Sequence, residues 1–532
     1  MPLLFDDLNE PQRKAAAIDG PLLIVAGPGT GKTLTIAHRI AYLIRHNVLP
    51  EEILAVTFTN RAAREMRARA GDVIGSDAAK IFMGTFHLLG LKIIKDNRAD
   101  DFLIYSREDQ VKLLKKLMND STRKARNAVE RISRIKNSLG DEDRGIQETY
   151  QAYEAGLKER NALDFDDLIR IPIRMLQNSE TARKYQDKFK YIIVDEYQDI
   201  NPVQYQLLKR LAGKTGNVCV VGDADQAIYA FRGADIGNFL NFEKDFPGAK
   251  RITLSENYRS SGIIVTAADS LIRHNERRID KKLVPLKEKG VPVTSLSVPD
   301  EHAEGAAIIR HIEERMGGTS HYQMARSISG RADSERSFRF SDFAVIFRTN
   351  AQARALEQVF AASGIPYQMI GRRSSAQMKD IEETLVYLQS LIHPHDTIGP
   401  DRSETPEAKL LTAEDLFDPR ADAVALMTLH MAKGLEFPVV FITGCEDGLI
   451  PYAVMKEAVD IEEERRLLYV GMTRAKDELH LIHARNRFLY GRRLAPSPSP
   501  FIEEIPEKFI SSIAVHDRVK KQNEPDRQLG LF

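Results

Sequence analysis

The run Ala26-Gly27-Pro28-Gly29-Thr30-Gly31-Lys32-Thr33 carries the residue types needed to hold a polyphosphate. It follows the apolar stretch Pro21 to Val25 and precedes Ile36, Ile40, Leu43 and Ile44 at helical spacing, so it reads as strand, glycine-rich loop and helix. Backbone N–H groups of such a loop and of the helix start wrap phosphate oxygens. Lys32 would reach the β- and γ-phosphates, and Thr33 would hold Mg2+. Ala26 stands where the pattern usually has glycine, which the backbone tolerates only at negative φ. A glycine-rich turn before an ordinary helix is the plainer reading; the flanking strand and helix favour a phosphate loop.

A second chemical element is Ile192-Ile193-Val194-Asp195-Glu196-Tyr197-Gln198-Asp199, an apolar strand ending in paired acids. Asp195 is placed to hold Mg2+ through its water shell, and Glu196 to take a proton from an attacking water. Phosphoryl transfer also needs positive charge on the phosphates. Two arginines lie inside longer motifs, Arg259 in LSENYRS and Arg474 in YVGMTRAKDE. Both fall in or at the edge of a later α/β group, so a nucleotide that they reach would bridge two domains. Hydrolysis would then open and close a cleft. Lone arginines ordinarily make surface ion pairs, and strand-end acids also cap helices.

The elements that must position these groups recur along the chain. LLIVAG, EILAVTFTN, KYIIVDEYQD, VCVVGDADQ, FAVIFRTN, VALMTLH, VVFITG and LHLIHA are apolar, β-branched runs separated by helical patterns. Such alternation predicts parallel sheets with crossover helices, and ligands beyond the carboxyl ends of the strands. A break near Leu254–Ser260 divides the runs into two α/β groups. Gly90 to Asn161 is helical and charged, Gly317 to Ser337 reads as a long loop, and Pro394 to Pro419 as a short connection.

Composition narrows the class. A chain of 532 residues with 43% hydrophobic and 29% charged content predicts several full-sized cores. No apolar run reaches the roughly 18 residues of a membrane span, and the start MPLLFDDLNE is acidic where a secretory leader would be basic. Cys219 and Cys445, the two cysteines, lie in β-like runs and read as buried thiols of a reducing compartment. The 13 histidines show no metal-ligand spacing, and zero net charge argues against a non-specific nucleic-acid coat.

The order of motifs resembles the superfamily 1A helicases of the UvrD, Rep and PcrA type. The resemblance rests on LNEPQRKA, AGPGTGKT, TFTNRAAREM, GTFH, ALDFDDL, VDEYQD, VGDADQAIYAFRGA, LSENYRS, FRTNAQAR, MTLHMAKGLEF and EEERRLLYVGMTRAK, from about residue 5 to about 506. It implies two RecA-like α/β motor domains, 1A (1–90 and 162–257) and 2A (258–390 and 421–507). A helical insertion 1B would occupy 91–161, a short remnant at 391–420 would replace the family's 2B subdomain, and 508–532 would be a flexible tail. For ATP it implies Gln12 on the adenine edge, Tyr258 stacked on the base and Glu436 on the ribose. Gln226 would sense the γ-phosphate, and Arg259 and Arg474 would be arginine fingers.

For single-stranded DNA the resemblance implies base stacking and phosphate contacts through Phe58, Thr85, His87, Tyr229, Phe231 and Arg232, with Asn350, His430 and Tyr490 from the second domain. Core packing is the alternative for Phe58 and Phe231. Position 231 is Phe where the family usually has Trp, and the family's RxEIKD-like stretch is degraded to Met378-Lys379-Asp380-Ile381-Glu382-Glu383. Gln528, Leu529, Leu531 and Phe532 resemble the peptides by which bacterial proteins dock on the sliding clamp.

These features together imply a cytoplasmic, nucleoid-associated ATP- and Mg2+-dependent translocase and helicase acting on single-stranded and tailed or forked duplex DNA in repair or replication, with 3′-to-5′ polarity implied by the resemblance alone. Without 2B, unwinding would be either weak or free of self-inhibition. A DNA-stimulated ATPase that displaces proteins without efficient unwinding, and a non-catalytic clamp-associated scaffold, are the rival readings.

Overall fold

The computed structural model describes residues 5–138, 143–213, 216–317, 338–371, 417–453 and 459–515. The first sheet contains β1 (Leu22–Ala26), β2 (Ile53–Thr57) and β3 (Phe82–Thr85). After a helical excursion bracketed by the short pair β4 (Leu103–Ile104) and β5 (Ala162–Leu163), it resumes with β6 (Tyr191–Val194), β7 (Val218–Gly222) and β8 (Lys250–Leu254). Its order is β3-β2-β6-β7-β1-β8, parallel throughout. Strand alternation sends Leu23 and Val25 into one core and Leu22, Ile24 and Ala26 into another, so both faces are covered. That is why β1 is apolar without interruption.

A short parallel pair, β9 (Glu256–Asn257) and β10 (Val284–Pro285), leads into the second sheet. That sheet comprises β11 (Val293–Val298), β12 (Phe343–Phe347), β13 (Tyr367–Met369), β14 (Val424–Thr428), β15 (Phe437–Thr443) and β16 (Ala475–Ala484). Beyond the hairpin of β17 (Arg487–Leu489) and β18 (Arg492–Leu494), β19 (Ile510–Ala514) adds its last strand. The order β13-β14-β12-β15-β16-β11-β19 is again all parallel. Two cores flank this sheet as well. The α/β expectation with two parallel sheets holds.

Between β3 and β5 lie the helices Phe86–Asn97, Arg107–Met118, Thr122–Asn137 and Gln147–Glu159, the first starting ahead of the expected 91–161 insertion and packing on the first sheet's core. The last three share their own small core. One expectation is corrected. The tail taken as flexible from 508 begins with β19, which pairs in register with β11 from Val293↔Ile510 to Ser297↔Ala514. Its ISSIA residues are exposed apart from Ile510, which packs against a core, and the ladder hydrogen bonds hold the rest as an edge strand. The 318–337 loop, the Met378–Glu383 stretch, residues 391–416 of the short connection and the Gln528–Phe532 peptide lie outside the described residues.

Candidate functional site

The carboxyl ends of the adjacent strands β6, β7 and β1 hold most of the first-domain candidates. Ala26 ends β1 without a positive φ, as its Cβ requires, and the loop turns through Gly29 (φ +68°) and Gly31 (φ +80°). The helix Lys32–Arg45 then starts on Gly31 with no side-chain cap, so its first N–H groups remain available to an anion. Thr30 Oγ1 donates to Gly27 O at 2.8 Å and ties the loop to itself. Gln12 Nε2 donates to Thr30 O at 3.0 Å. Asn257 Nδ2 donates to Pro28 O at 2.7 Å, and Tyr258 N to Gly29 O at 2.9 Å. A Cβ on Gly29 would stand 2.6 Å from Arg259 Cβ, so glycine is what lets the LSENYRS segment close on the loop.

Glu196 sits at φ +50° directly after Asp195, whose own N–H donates to Val56 O. Lys32 Nζ lies 3.2 Å from Glu196. Although burial opposes ionisation, Lys32 and Lys433 hold the Glu196 carboxyl below its ordinary range. Burial, then the Glu196 charge, pushes Asp195 the other way. Gln226 is buried, and its Nε2 donates to Asp223 Oδ2 at 2.8 Å.

The second sheet contributes the opposite wall. Arg259 Nε donates to Glu436 Oε2 at 2.7 Å, and Lys476 holds the other Glu436 oxygen at 2.7 Å. Against its burial, Arg259 and Lys476 hold Glu436 down to about 2. Arg474 is buried and donates to Val470 O, Leu435 O and Thr473 Oγ1. Burial, then Arg259, lowers it to about 9, while Glu196 acts in the opposite sense. Thus the two arginines and Glu196 share one electrostatic environment, although Arg259 and Arg474 are far apart in sequence.

Lys433 was not singled out from the sequence. It reaches across to the first domain, with Nζ 2.5 Å from Asp199, 2.8 Å from Gln226 O and 3.7 Å from Glu196. It also lies 5.2 Å from the Tyr229 ring centroid. Its place in MTLHMAKGLEF was the available signal.

The DNA candidates fall into separate clusters, one around Phe58, Tyr229, Phe231, Arg232 and His430, one at Tyr490, and one at Thr85 and His87. Phe231 is 64% exposed and Tyr490, at the β17–β18 turn with φ +51°, is 52% exposed. His430 meets Phe231 edge-on at 5.0 Å, and Arg232 lies over both Tyr229 and Phe231. Tyr490 OH and Tyr452 OH are 3.2 Å apart, and Arg348 lies over Tyr452. Asn350 is exposed at the first turn of its helix. Tyr229 departs from expectation: it is 3% exposed, stacked beneath Phe58 at 5.0 Å, so its ring face is covered here. Phe58 itself packs on the second domain's core. Thr85 caps the helix Phe86–Asn97 through Leu88 N, and His87 packs edge-on to Phe165. Burial holds His87 at about 4 and His430 at about 3, so both rings are neutral.

A phosphate loop, strand-end acids and cations from a second parallel sheet define a nucleotide-dependent motor of the two-sheet P-loop class. Residues 8–247 match the UvrD/REP helicase N-terminal domain, and residues 252–407 and 405–486 match the UvrD-like helicase C-terminal domain. A protein of Leuconostoc citreum named ATP-dependent DNA helicase PcrA is 33% identical over 683 aligned positions, covering 99% of this chain and 89% of the relative. Proteins of the same name from Staphylococcus epidermidis and Staphylococcus aureus are 33% and 32% identical, each covering 98% of this chain and 89% of the relative. The chain belongs to the UvrD-like helicase family.

Proposed function

We propose that this chain is an ATP-dependent DNA helicase that translocates 3′ to 5′ along single-stranded DNA and separates tailed duplexes, in repair or replication. The observation that carries the reading is the convergence on Glu196 of Lys32 at 3.2 Å from the first domain and Lys433 at 3.7 Å from the second. Glu196, held anionic by those cations, takes the proton of the attacking water. Gln226 orients that water, Arg259 and Arg474 balance the phosphate charge, and Gln12, Tyr258 and Glu436 hold the nucleoside. Thr33, in the first turn of the phosphate-loop helix, and Asp195, directly after β6, would hold a Mg2+ ion. When bound, the ion offsets charge on the leaving phosphates.

On the DNA side, Phe231 and Tyr490 offer exposed rings to bases, with His430 and Arg232 beside Phe231 and Thr85 and Asn350 as further polar contacts. The decisive measurement is ATPase rate with single-stranded DNA, duplex or RNA present. Stimulation by single-stranded DNA is expected, with loss in Lys32→Ala; no stimulation by any nucleic acid would overturn the reading.

A second reading, protein displacement with little unwinding, is favoured by one observation. The 683 aligned positions exceed the 532 residues of this chain by 151, so the relatives carry substantial sequence that it lacks. Loss of 2B would account for that excess. Parallel assays on a 3′-tailed duplex and a protein-blocked single strand separate the two readings. Clamp docking by Gln528, Leu529, Leu531 and Phe532 is tested by deleting them and measuring clamp pull-down beside ATPase. Among the described residues no helix is long and apolar enough to cross a membrane.

A further inference from the structure

We propose that His311, Glu478 and His480 form a structural divalent-metal site of zinc type, joining the helix Glu301–Arg315 to β16 behind the nucleotide cleft. Glu478 and His480 are two apart on one strand and so share a face, and His311 comes to them from the helix packed on that face. Their ligand atoms all lie within 4.8 Å of one another. Glu478 Oε2 is 3.3 Å from His311 Nε2 and 3.6 Å from His480 Nε2. A tetrahedral ion with bonds of about 2.0–2.2 Å sets its donors roughly 3.3–3.6 Å apart, so two of the three edges are already at that spacing.

An independent observation points to a missing ligand. His480 is 9% exposed, and its Nε2 is buried with no hydrogen-bond partner. An unpaired buried ring nitrogen is costly unless something accepts its lone pair or proton. Phe441 fixes both rings, stacked on His480 at 4.8 Å and edge-on to His311 at 5.4 Å. Arg315 holds the other carboxylate oxygen, Glu478 Oε1, at 2.9 Å, which leaves Oε2 turned toward the two imidazoles. Two nitrogens and one oxygen suit zinc better than magnesium, with water in the fourth position. Arg474 immediately precedes β16, so an ion here would stiffen the strand that follows it.

The test uses the full chain, stripped with chelator and free of nucleotide, titrated with Zn2+ by calorimetry and with Co2+ by visible absorption. One ion per chain, tetrahedral Co2+ bands and a raised Tm are expected. His480→Gln and the partly exposed His311→Ala should each weaken binding about tenfold or more, with folding checked by circular dichroism. No stoichiometric binding, or binding unchanged in the His311→Ala/His480→Gln double variant, overturns the site.

Discussion

Lys433 is one side chain on which both halves of the cleft converge. Its Nζ meets Asp199 and Gln226 O of the first domain while its own strand-end loop belongs to the second. Together with Lys32 it keeps Glu196 below the ordinary carboxylate range. Removing that cation raises the Glu196 value, so at a given acidic pH less of the base is ionised. In Lys433→Met the acidic limb of the kcat profile should therefore move to higher pH while the KM for ATP changes little. An unmoved limb would show that Lys433 does not set the base. Phe231 supports a second residue-scale prediction, because its exposed ring has no core to lose. Phe231→Ala should weaken single-stranded DNA binding by about 1–3 kcal/mol, and Phe231→Trp should restore it, as read by fluorescence anisotropy.

Among the elements, the helical insertion depends on a buried cation. Lys136, in the helix Thr122–Asn137, is fully enclosed and meets Glu154 at 2.7 Å and Asp164 and Asp167 at 2.8 Å each. Tyr153 OH also donates to Asp164. Lys136→Met would leave carboxylates buried without their cation, a loss of about 3–5 kcal/mol. Urea denaturation should show that loss; an unchanged midpoint would mean that the acids simply take up protons. Sequence legibility also divides by element. β1, β2, β6, β7, β12, β14, β15 and β16 were visible as apolar runs because their faces are covered on both sides. The strands β8, β11 and β19 were not visible, since KRITL, VTSLSV and ISSIA are partly exposed and are held by ladder bonds. Likewise β3, in FMGTF, was read only as a motif.

At the scale of the whole molecule, each domain contains a histidine that burial keeps neutral, His87 in the first and His430 in the second. The unfolded chain protonates both near 6.5, whereas the folded chain does so only near 4 and 3. Below about pH 6.5 the unfolded state therefore binds more protons. The stability they contribute is complete above that pH and is lost as pH falls toward the folded values. The urea midpoint should drop between pH 7 and pH 5, and the drop should be shallower in His87→Asn/His430→Asn. A drop equally steep in that variant would place the acid sensitivity elsewhere.

The sequence by itself determined the phosphate loop, the strand-end acids and the arginine motifs, because each is a local pattern whose chemistry follows from backbone conformation and neighbouring residue types. Only the tertiary structure brought Lys433 to Glu196, covered Tyr229 with Phe58, and set His311 against Glu478 across 167 residues of chain. Histidines without metal-ligand spacing in the sequence thus acquired it in space. The reason is physical: a crossover fold aligns strand ends and helix faces from distant segments, and their sequence separation carries no trace of that alignment.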